Sequence, residues 1–244
     1  LQEVFDEGRD VIKALLVNVI IPLLPVYIAG VFAELAAAGT VFATLKTFGV
    51  VLAMSLALHW IWIVVLFLLA GLRAAVSPLR LIGGMLPAYF TALGTMSSAA
   101  TIPVTLQAVR RNGVRDAVAA FTVPLCATTH LAGSTITIVS CAVAVMVLLD
   151  GVAVPNLLGM LPFILTLGVV MLAAPGVPGG AVMSALGLLG SMLGFGETAL
   201  ALMIALYMAQ DSFGTAGNVT GDGAIAVLVD SMAPASIEGE SLHS

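Results

Sequence analysis

The sequence "GTMSSAATIP" at residues 94–103 interrupts a long apolar segment that covers residues 81–109. Glycine, serine, threonine and proline favour a turn at this point over one continuous helix. Arginines flank the segment on both sides, at Arg73 and Arg80 before it and at Arg110, Arg111 and Arg115 after it. In membrane proteins, Arg and Lys accumulate on the cytoplasmic side. The pattern therefore predicts a re-entrant helical hairpin over residues 81–111, with both ends on that side.

The composition of the chain agrees with a membrane location. Of its 244 residues, 61% are hydrophobic and only 9% are charged, whereas soluble domains carry about 25% charged residues. Such a chain has too few polar side chains to cover a soluble fold, so we expect an all-α polytopic protein of the inner or plasma membrane, in contact with lipid. A basic face of the kind that binds nucleic acid is absent from the sequence, and no nucleic-acid partner is expected.

A second interrupted segment covers residues 155–194, with "APGVPGG" at 174–180. Two full spans would need about 20 residues each and would leave none for a turn outside the membrane, so a second re-entrant hairpin is predicted. The two hairpins match in sequence at one constant spacing, in "GMLP" at 84–87 and 159–162, in Thr91 and Thr166, and in Pro103 and Pro178. Further spans are predicted at 48–71, 116–149 and 197–230. Because the span at 116–149 separates the hairpins, they form an inverted repeat, a pattern typical of secondary transporters.

A polar stripe is predicted in "QDSFGTAGNVTGDG", residues 210–223. Asp211, Thr215, Asn218 and Asp222 stand at i, i+4, i+7 and i+11, so a helix places all four on one face. A carboxylate in the bilayer is costly unless it meets a cation or another partner, and no Lys or Arg follows Arg115. The stripe therefore predicts a bound cation or a substrate ammonium group. The alternative is a stripe solvated at the membrane surface.

A break is predicted in the long span at "CATTHLAGSTITI", residues 126–138. Gly133 weakens the helix, and the carbonyl groups freed between Thr128 and Leu131 have the chemistry to coordinate a cation. His130 is interpreted either as part of such a site or as a packing residue. His59 lies in an apolar span without a polar cluster nearby in sequence, and is expected only to pack.

Four motifs in this order resemble the dicarboxylate/amino acid:cation symporters, the sodium:dicarboxylate or glutamate-transporter-like family. They are "SSAATIPVT" at 97–105, "ATTHLAGST" at 127–135, "GVPGG" at 176–180 and "DSFGTAGNVTGD" at 211–222. The resemblance implies a homotrimer in which a core moves across the membrane like an elevator against a fixed scaffold. Residues 1–40 would form a scaffold-type helix, residues 41–232 the transport core and residues 233–244 a polar tail, with spans that precede residue 1 missing.

The resemblance also implies roles for individual residues. Asp211 would bind the ammonium group of an amino acid substrate and Asn218 its α-carboxylate. The substrate site would be completed by Ser97, Ser98, Ser134 and Thr215 and by the second-hairpin tip with Val177, Gly179 and Gly180. Asp222 and Asn218 would bind one Na⁺ ion together with carbonyls near His130. The carbonyls of Thr128 and Leu131 would bind a second Na⁺ ion. No organic cofactor is expected.

Three departures from the family pattern shape the functional hypothesis. The family's break motif is Asn-Met-Asp-Gly-Thr, but the residues from His130 to Ser134 read His-Leu-Ala-Gly-Ser. Ala132 thus replaces an aspartate that serves a sodium site, and an imidazole can titrate near neutral pH, so coupling to Na⁺ or to H⁺ stays open. Gly214 stands where acidic-substrate members carry arginine, and Met96 stands where some members carry an arginine in the first hairpin. A small neutral amino acid is therefore the expected substrate.

The leading hypothesis is a secondary active symporter of such an amino acid, which is not an enzyme. A dicarboxylate or acidic amino acid is the alternative substrate. A different class is an intramembrane serine hydrolase, with Ser97 or Ser98 as nucleophile and His130 as base. A channel and a protein that has lost transport are two further alternatives.

Overall fold

The computed structural model describes residues 21–37, 39, 41–149 and 154–234, together with residues 7, 11, 14, 15, 18 and 19. The regular structure of this part of the chain is helical and contains no strand. Its helices are α1 (Ile21–Ala37), α2 (Val41–Ala74), α3 (Pro78–Thr95), α4 (Ser98–Arg111), α5 (Asp116–Thr129), α6 (Ala132–Leu148), α7 (Leu157–Met171), α8 (Gly180–Leu193), α9 (Glu197–Met208) and α10 (Asp211–Met232). The predicted all-α class is confirmed. Most of the predicted segment before residue 21 and the tail after residue 234 lie outside the described residues.

Two segments are long and apolar enough to cross a membrane. They are α2, with 34 residues, and the run Asp116–Leu148, with 33 residues, which contains α5 and α6. A span needs about 20 apolar residues, so both exceed the requirement. Helix α2 also exposes large apolar side chains such as Ile61 and Leu69, and surfaces of this kind mark contact with lipid or with another apolar surface.

Helices α3 and α4 form an antiparallel pair whose tip is very short. Met96 adopts the left-handed conformation, with φ of 49°, and Ser97 is extended. The Ser97 hydroxyl oxygen accepts a hydrogen bond from the Ala100 amide at 3.2 Å, which caps the first turn of α4 as serine commonly does. At the other end of the pair, Asn112 Nδ2 donates to the Leu81 carbonyl at 2.9 Å. The arginines that flank this segment therefore lie at one end of the pair.

Helices α7 and α8 form the second interrupted segment. Asn156 caps α7, because its side-chain oxygen accepts from the Gly159 amide at 2.9 Å. The connection that follows spans residues 172–179 and ends at Gly179, whose φ of 72° favours glycine. This connection is longer than the tip between α3 and α4. The predicted interruption at 174–180 thus coincides with the start of α8.

The "GMLP" motif makes the same hydrogen bond in both helix pairs. In α3 the Thr91 hydroxyl donates to the Pro87 carbonyl, and in α7 the Thr166 hydroxyl donates to the Pro162 carbonyl, each at 2.8 Å. The later part of the sequence match is not reproduced, because Pro103 lies inside α4 whereas Pro178 precedes α8. The likeness of the two pairs is therefore local to their first helices.

The predicted last span at 197–230 consists of two helices. Helix α9 ends at Met208, and α10 begins at Asp211. The Gln210 amide donates to the Tyr207 carbonyl at 2.8 Å in the turn between them. An aspartate at the first position of a helix interacts favourably with the amide groups that lack helical acceptors there, which accounts for a new helix at Asp211.

The chain divides into two compact units. The first unit contains residues 1–54 and 137–210, and the second unit contains residues 55–136 and 211–244. Phe163, Leu189 and Leu202 are buried in the first unit. In the second unit, α3, α4 and α5 pack against α10, around buried side chains that include Phe67 and Met85. The second unit therefore surrounds the predicted polar stripe with helices.

Candidate functional site

The polar stripe on α10 is buried. Asp211, Thr215, Asn218 and Asp222 are each exposed by 4% or less of their surface. The alternative of a stripe solvated at the membrane surface does not agree with this burial. Burying four polar side chains on one helix is costly unless partners compensate. Other elements of the second unit supply such partners to Asn218 and Asp222.

The predicted break lies between α5 and α6. Helix α5 ends at Thr129, and His130 and Leu131 are not helical before α6 begins at Ala132. The His130 amide still donates to the Cys126 carbonyl at 2.8 Å, but the backbone of His130 then leaves the helical region, with φ of −106° and ψ of 87°. The break therefore ends one helix and starts another within two residues, as the sequence predicted.

His130 forms a pair with Asp222. Nδ1 of the imidazole lies 2.9 Å from Oδ1 of the carboxylate, and the Asp222 side chain is 1% exposed. Gly221 provides the space, since a Cβ atom at this position would overlap the imidazole Cε1 and lie 3.2 Å from Leu66. Among side chains, the sequence prediction considered only Lys and Arg as partners for Asp222. The structure adds an imidazole from the break.

Asn218 is held by the first turn of α6. Its Nδ2 donates to the Ser134 hydroxyl at 2.8 Å, and its Oδ1 accepts from the Ser134 amide at 3.2 Å. Both polar atoms of the Asn218 side chain thus engage one residue, which fixes the orientation of the amide. These two residues were both predicted to bind substrate, and the structure brings them together.

Gly133 allows α6 to start directly against α10. A Cβ atom on Gly133 would overlap the Gly214 carbonyl oxygen and lie 3.1 Å from the amide nitrogen of Asn218. A larger residue would push the two helices apart and lengthen the hydrogen bonds between Ser134 and Asn218. The glycine that the sequence analysis interpreted as a helix breaker is therefore also a contact point between helices.

His59 also contacts the break, which the sequence analysis did not predict. Its Nε2 lies 2.9 Å from the Gly133 carbonyl oxygen, and its ring lies 3.7 Å from the position that a Cβ atom of Gly217 would occupy. One sequence signal was available: Ser55 and His59 are four residues apart, so a helix places both polar residues on one face. Both are buried.

The predicted carbonyl ligands differ in their surroundings. The Leu131 carbonyl accepts hydrogen bonds from the amide and the hydroxyl of Thr135, at 2.9 and 2.8 Å. A carbonyl oxygen has two lone pairs, so a cation at Leu131 would displace one of these donors. Thr128 is exposed, and its hydroxyl donates to the Leu125 carbonyl at 3.0 Å.

The predicted hairpin residues lie at the two helix connections. Ser97 and Ser98 are buried at the start of α4, which packs against α10 in the second unit. Val177, Gly179 and Gly180 belong to the first unit. There, a Cβ atom on Gly179 would lie 3.0 Å from the Met208 sulfur at the end of α9. Substrate contacts at either connection remain predictions.

The sequence profile of the sodium:dicarboxylate symporter family matches residues 1–232. The chain belongs to this family. Human excitatory amino acid transporter 1 is 37% identical over 139 residues, which cover 55% of this chain and 25% of that protein. Bovine neutral amino acid transporter B(0) is 27% identical over 196 residues, which cover 80% of this chain and 35% of that protein. The chain thus spans about a quarter to a third of the length of these relatives.

Proposed function

We propose that this member of the sodium:dicarboxylate symporter family is part of a secondary active symporter that moves an amino acid across the membrane together with Na⁺. The observation that carries the proposal is the buried stripe on α10, joined by two sets of side-chain contacts to a helix break. Family membership and the transporter names of the relatives support it.

The chemistry of the break suits a zwitterion and a cation. The end of α5 presents carbonyl oxygens, and the start of α6 presents amide hydrogens, because helix ends leave these groups without helical partners. Interrupted helices in transporters use the first kind of group for cations and the second for anionic substrate groups. The stripe adds two carboxylates and an amide within the same unit.

The proposed roles follow the family resemblance. Asp211 binds the ammonium group of the substrate, and Asn218 binds its α-carboxylate through the N–H group that Ser134 leaves unused. The other proposed substrate contacts are Ser97, Ser98, Ser134, Thr215, Val177, Gly179 and Gly180. The proposed Na⁺ ligands are Asp222, Asn218 and backbone oxygens at Thr128, His130 and Leu131. Na⁺ and the amino acid are both cargo.

We propose a small neutral amino acid as the substrate. Gly214 is buried on α10 and its carbonyl oxygen lies near Gly133. A glycine there and a methionine at residue 96 offer no charge to a side-chain carboxylate. The relatives carry both excitatory and neutral amino acid names, so an acidic amino acid or dicarboxylate is the second candidate.

We further propose that both helix pairs are re-entrant and that they form an inverted repeat. We also propose that the protein is a trimer with multiple spans in the cell membrane, in which residues 41–232 move as an elevator core. The lengths of the helices support re-entry. Helices α4, α7 and α8 have 14, 15 and 14 residues, or about 21 to 23 Å. This is shorter than the roughly 30 Å hydrocarbon core.

The hydrolase hypothesis loses support. The His130 Nε2 atom has no hydrogen-bond partner among the described residues, so it is bonded to neither Ser97 nor Ser98, and the Ser97 hydroxyl oxygen caps α4. A serine nucleophile requires a base within hydrogen-bonding reach. The relatives are named as transporters, which agrees with transport and not with hydrolysis.

Uptake of radiolabelled amino acids into proteoliposomes tests the proposal. We expect saturable uptake of alanine or serine that requires an inward Na⁺ gradient and exceeds uptake of aspartate. A proton gradient is the second arm, because H⁺ is the alternative coupling ion. Non-saturable flux would favour a channel, and absence of flux under every gradient would contradict symport.

A further inference from the structure

His59 lies where segments of three helices meet within the second unit. It belongs to α2, and its Nε2 lies 2.9 Å from the Gly133 carbonyl oxygen at the start of α6. Its ring lies 3.7 Å from the position that a Cβ atom of Gly217 on α10 would occupy. The side chain is 4% exposed. Because a carbonyl oxygen only accepts hydrogen bonds, the Nε2 atom of His59 carries the proton and donates it to this contact.

The contact with Gly133 is next to the residues that hold Asn218. Ser134 follows Gly133 directly, and its amide and hydroxyl make both hydrogen bonds to the Asn218 side chain. Gly217 immediately precedes Asn218. His59 therefore touches the neighbour of each member of the Ser134–Asn218 pair.

Gly217 lies close to both partners of this contact. A Cβ atom on Gly217 would be 3.5 Å from the Gly133 Cα atom and 3.7 Å from the His59 ring, which are ordinary van der Waals distances. Gly217 and Gly221 lie one helical turn apart, so His59 at the first and His130 at the second approach α10 on neighbouring turns.

We propose that His59 is a positioning residue for the site: its Nε2–H holds the first turn of α6 in the register at which Ser134 orients Asn218. This inference rests on the proposed function for its effect on transport, but the hydrogen bond itself is independent of transport. Removing a group that orients a metal ligand typically lowers affinity or activity by about 10-fold or more, and we expect an effect of this size here.

The experiment compares two substitutions of similar length in the full chain. His59→Gln retains an N–H donor at the position of Nε2, whereas His59→Met is similar in size and has no donor. Ser55→Ala is the control, since Ser55 is buried one turn earlier on α2 and its hydroxyl has no hydrogen-bond partner among the described residues.

Two measurements are made on each variant. Sodium-driven uptake of alanine gives the apparent KM and the maximal rate, and hydrogen–deuterium exchange reports the protection of amides at residues 132–138. We expect His59→Met to raise the apparent KM about 10-fold, to leave the maximal rate within two-fold of wild type, and to speed exchange in this segment. His59→Gln and Ser55→Ala should resemble wild type in both measurements.

The inference would be overturned if the Met and Gln variants behaved alike, whether both resembled wild type or both were impaired, because only the N–H donor distinguishes them. If wild-type protein moves no amino acid, the proposed symport fails, and exchange alone then decides the role of His59. Faster exchange in the Met variant than in the Gln variant would support it, and equal exchange would contradict it.

Discussion

His130 and Asp222 form a buried pair, with Nδ1 of the imidazole 2.9 Å from Oδ1 of the carboxylate. The residues come from different elements, one from the break between α5 and α6 and the other from α10. The chain therefore places one of its own side chains on a carboxylate that family resemblance assigns to Na⁺. This arrangement bears directly on the ion coupling that we propose for the protein.

Asp222→Asn is expected to reduce gradient-driven uptake to background. The asparagine has nearly the same shape but carries no charge, so it can retain a contact with His130 without attracting a cation. Uptake in proteoliposomes measures the effect. Asp116→Asn makes the same chemical change at a side chain that is 83% exposed, and it should retain wild-type uptake. Wild-type sodium dependence in the Asp222 variant would refute the role of this carboxylate.

His130→Ala is expected to increase the dependence of uptake on Na⁺. Alanine removes the ring nitrogen that lies 2.9 Å from the Asp222 carboxylate oxygen, so the carboxylate is released for a cation. Uptake at several sodium concentrations measures the change. Thr129→Ala, at the exposed end of α5, is the control. If the sodium dependence of the His130 variant is unchanged, the histidine is a packing residue.

Gly221→Ala is expected to disturb the same pair without touching either partner chemically. The added Cβ atom would overlap the imidazole of His130, and overpacking of this kind costs about 1 to 3 kcal/mol. We therefore expect a lower midpoint of thermal unfolding and weaker uptake, and both quantities are measured on the purified variant. Gly187→Ala is the matched control in α8, because a Cβ atom there meets nothing within 4 Å. That variant should be as stable as wild type or slightly more stable, since alanine favours helix.

Gly214→Arg is expected to weaken uptake of small neutral amino acids and to create affinity for aspartate or glutamate. A guanidinium group presents two parallel donors to a carboxylate, and a buried unpaired arginine is destabilising without an acidic ligand. Competition uptake and ligand-dependent melting measure both effects. Gly214→Met introduces a side chain of similar length without a charge. This variant should lose uptake of neutral amino acids and gain no affinity for aspartate or glutamate. A wild-type protein that already prefers aspartate would contradict the proposed substrate class.

Arg115→Ala is expected to destabilise the second unit by about 2 kcal/mol. The Arg115 guanidinium donates to the Asp230 side chain at 2.8 Å and to the carbonyls of Asp230, Ala233 and Pro234, so it caps the end of α10. Chemical denaturation in detergent measures the loss. Arg110→Ala is the control, because its pair with Asp116 is exposed and such pairs contribute about 0 to 1 kcal/mol. Equal losses in both variants would contradict a capping role.

Much of the architecture follows from local patterns in the sequence. The composition indicates a helical membrane protein, the turn residues near Met96 and Gly179 mark helix ends, and the spacing on α10 defines the stripe. A break is also predicted within residues 126–138, and it lies at His130 and Leu131. These features depend on neighbours a few positions apart, where propensity and periodicity act directly.

The division of the last segment at residues 209–210 was missed, because an apolar run that continues into a polar one contains no proline or strong turn signal there. The sequence also matched Pro103 to Pro178, which occupy different positions in their helix pairs. In both cases the course of the backbone depends on contacts outside the segment itself.

The sequence alone thus determined which residues are polar and that α10 carries them on one face. Only the tertiary structure decided which groups come into contact. His130 pairs with Asp222, Ser134 holds Asn218, and His59 contacts the start of α6. The physical reason is that helix periodicity defines a face but not the surface opposite it. That surface depends on how closely helices approach one another. Here it depends on the missing side chains of Gly133 and Gly221, which allow polar groups far apart in sequence to come within hydrogen-bonding distance.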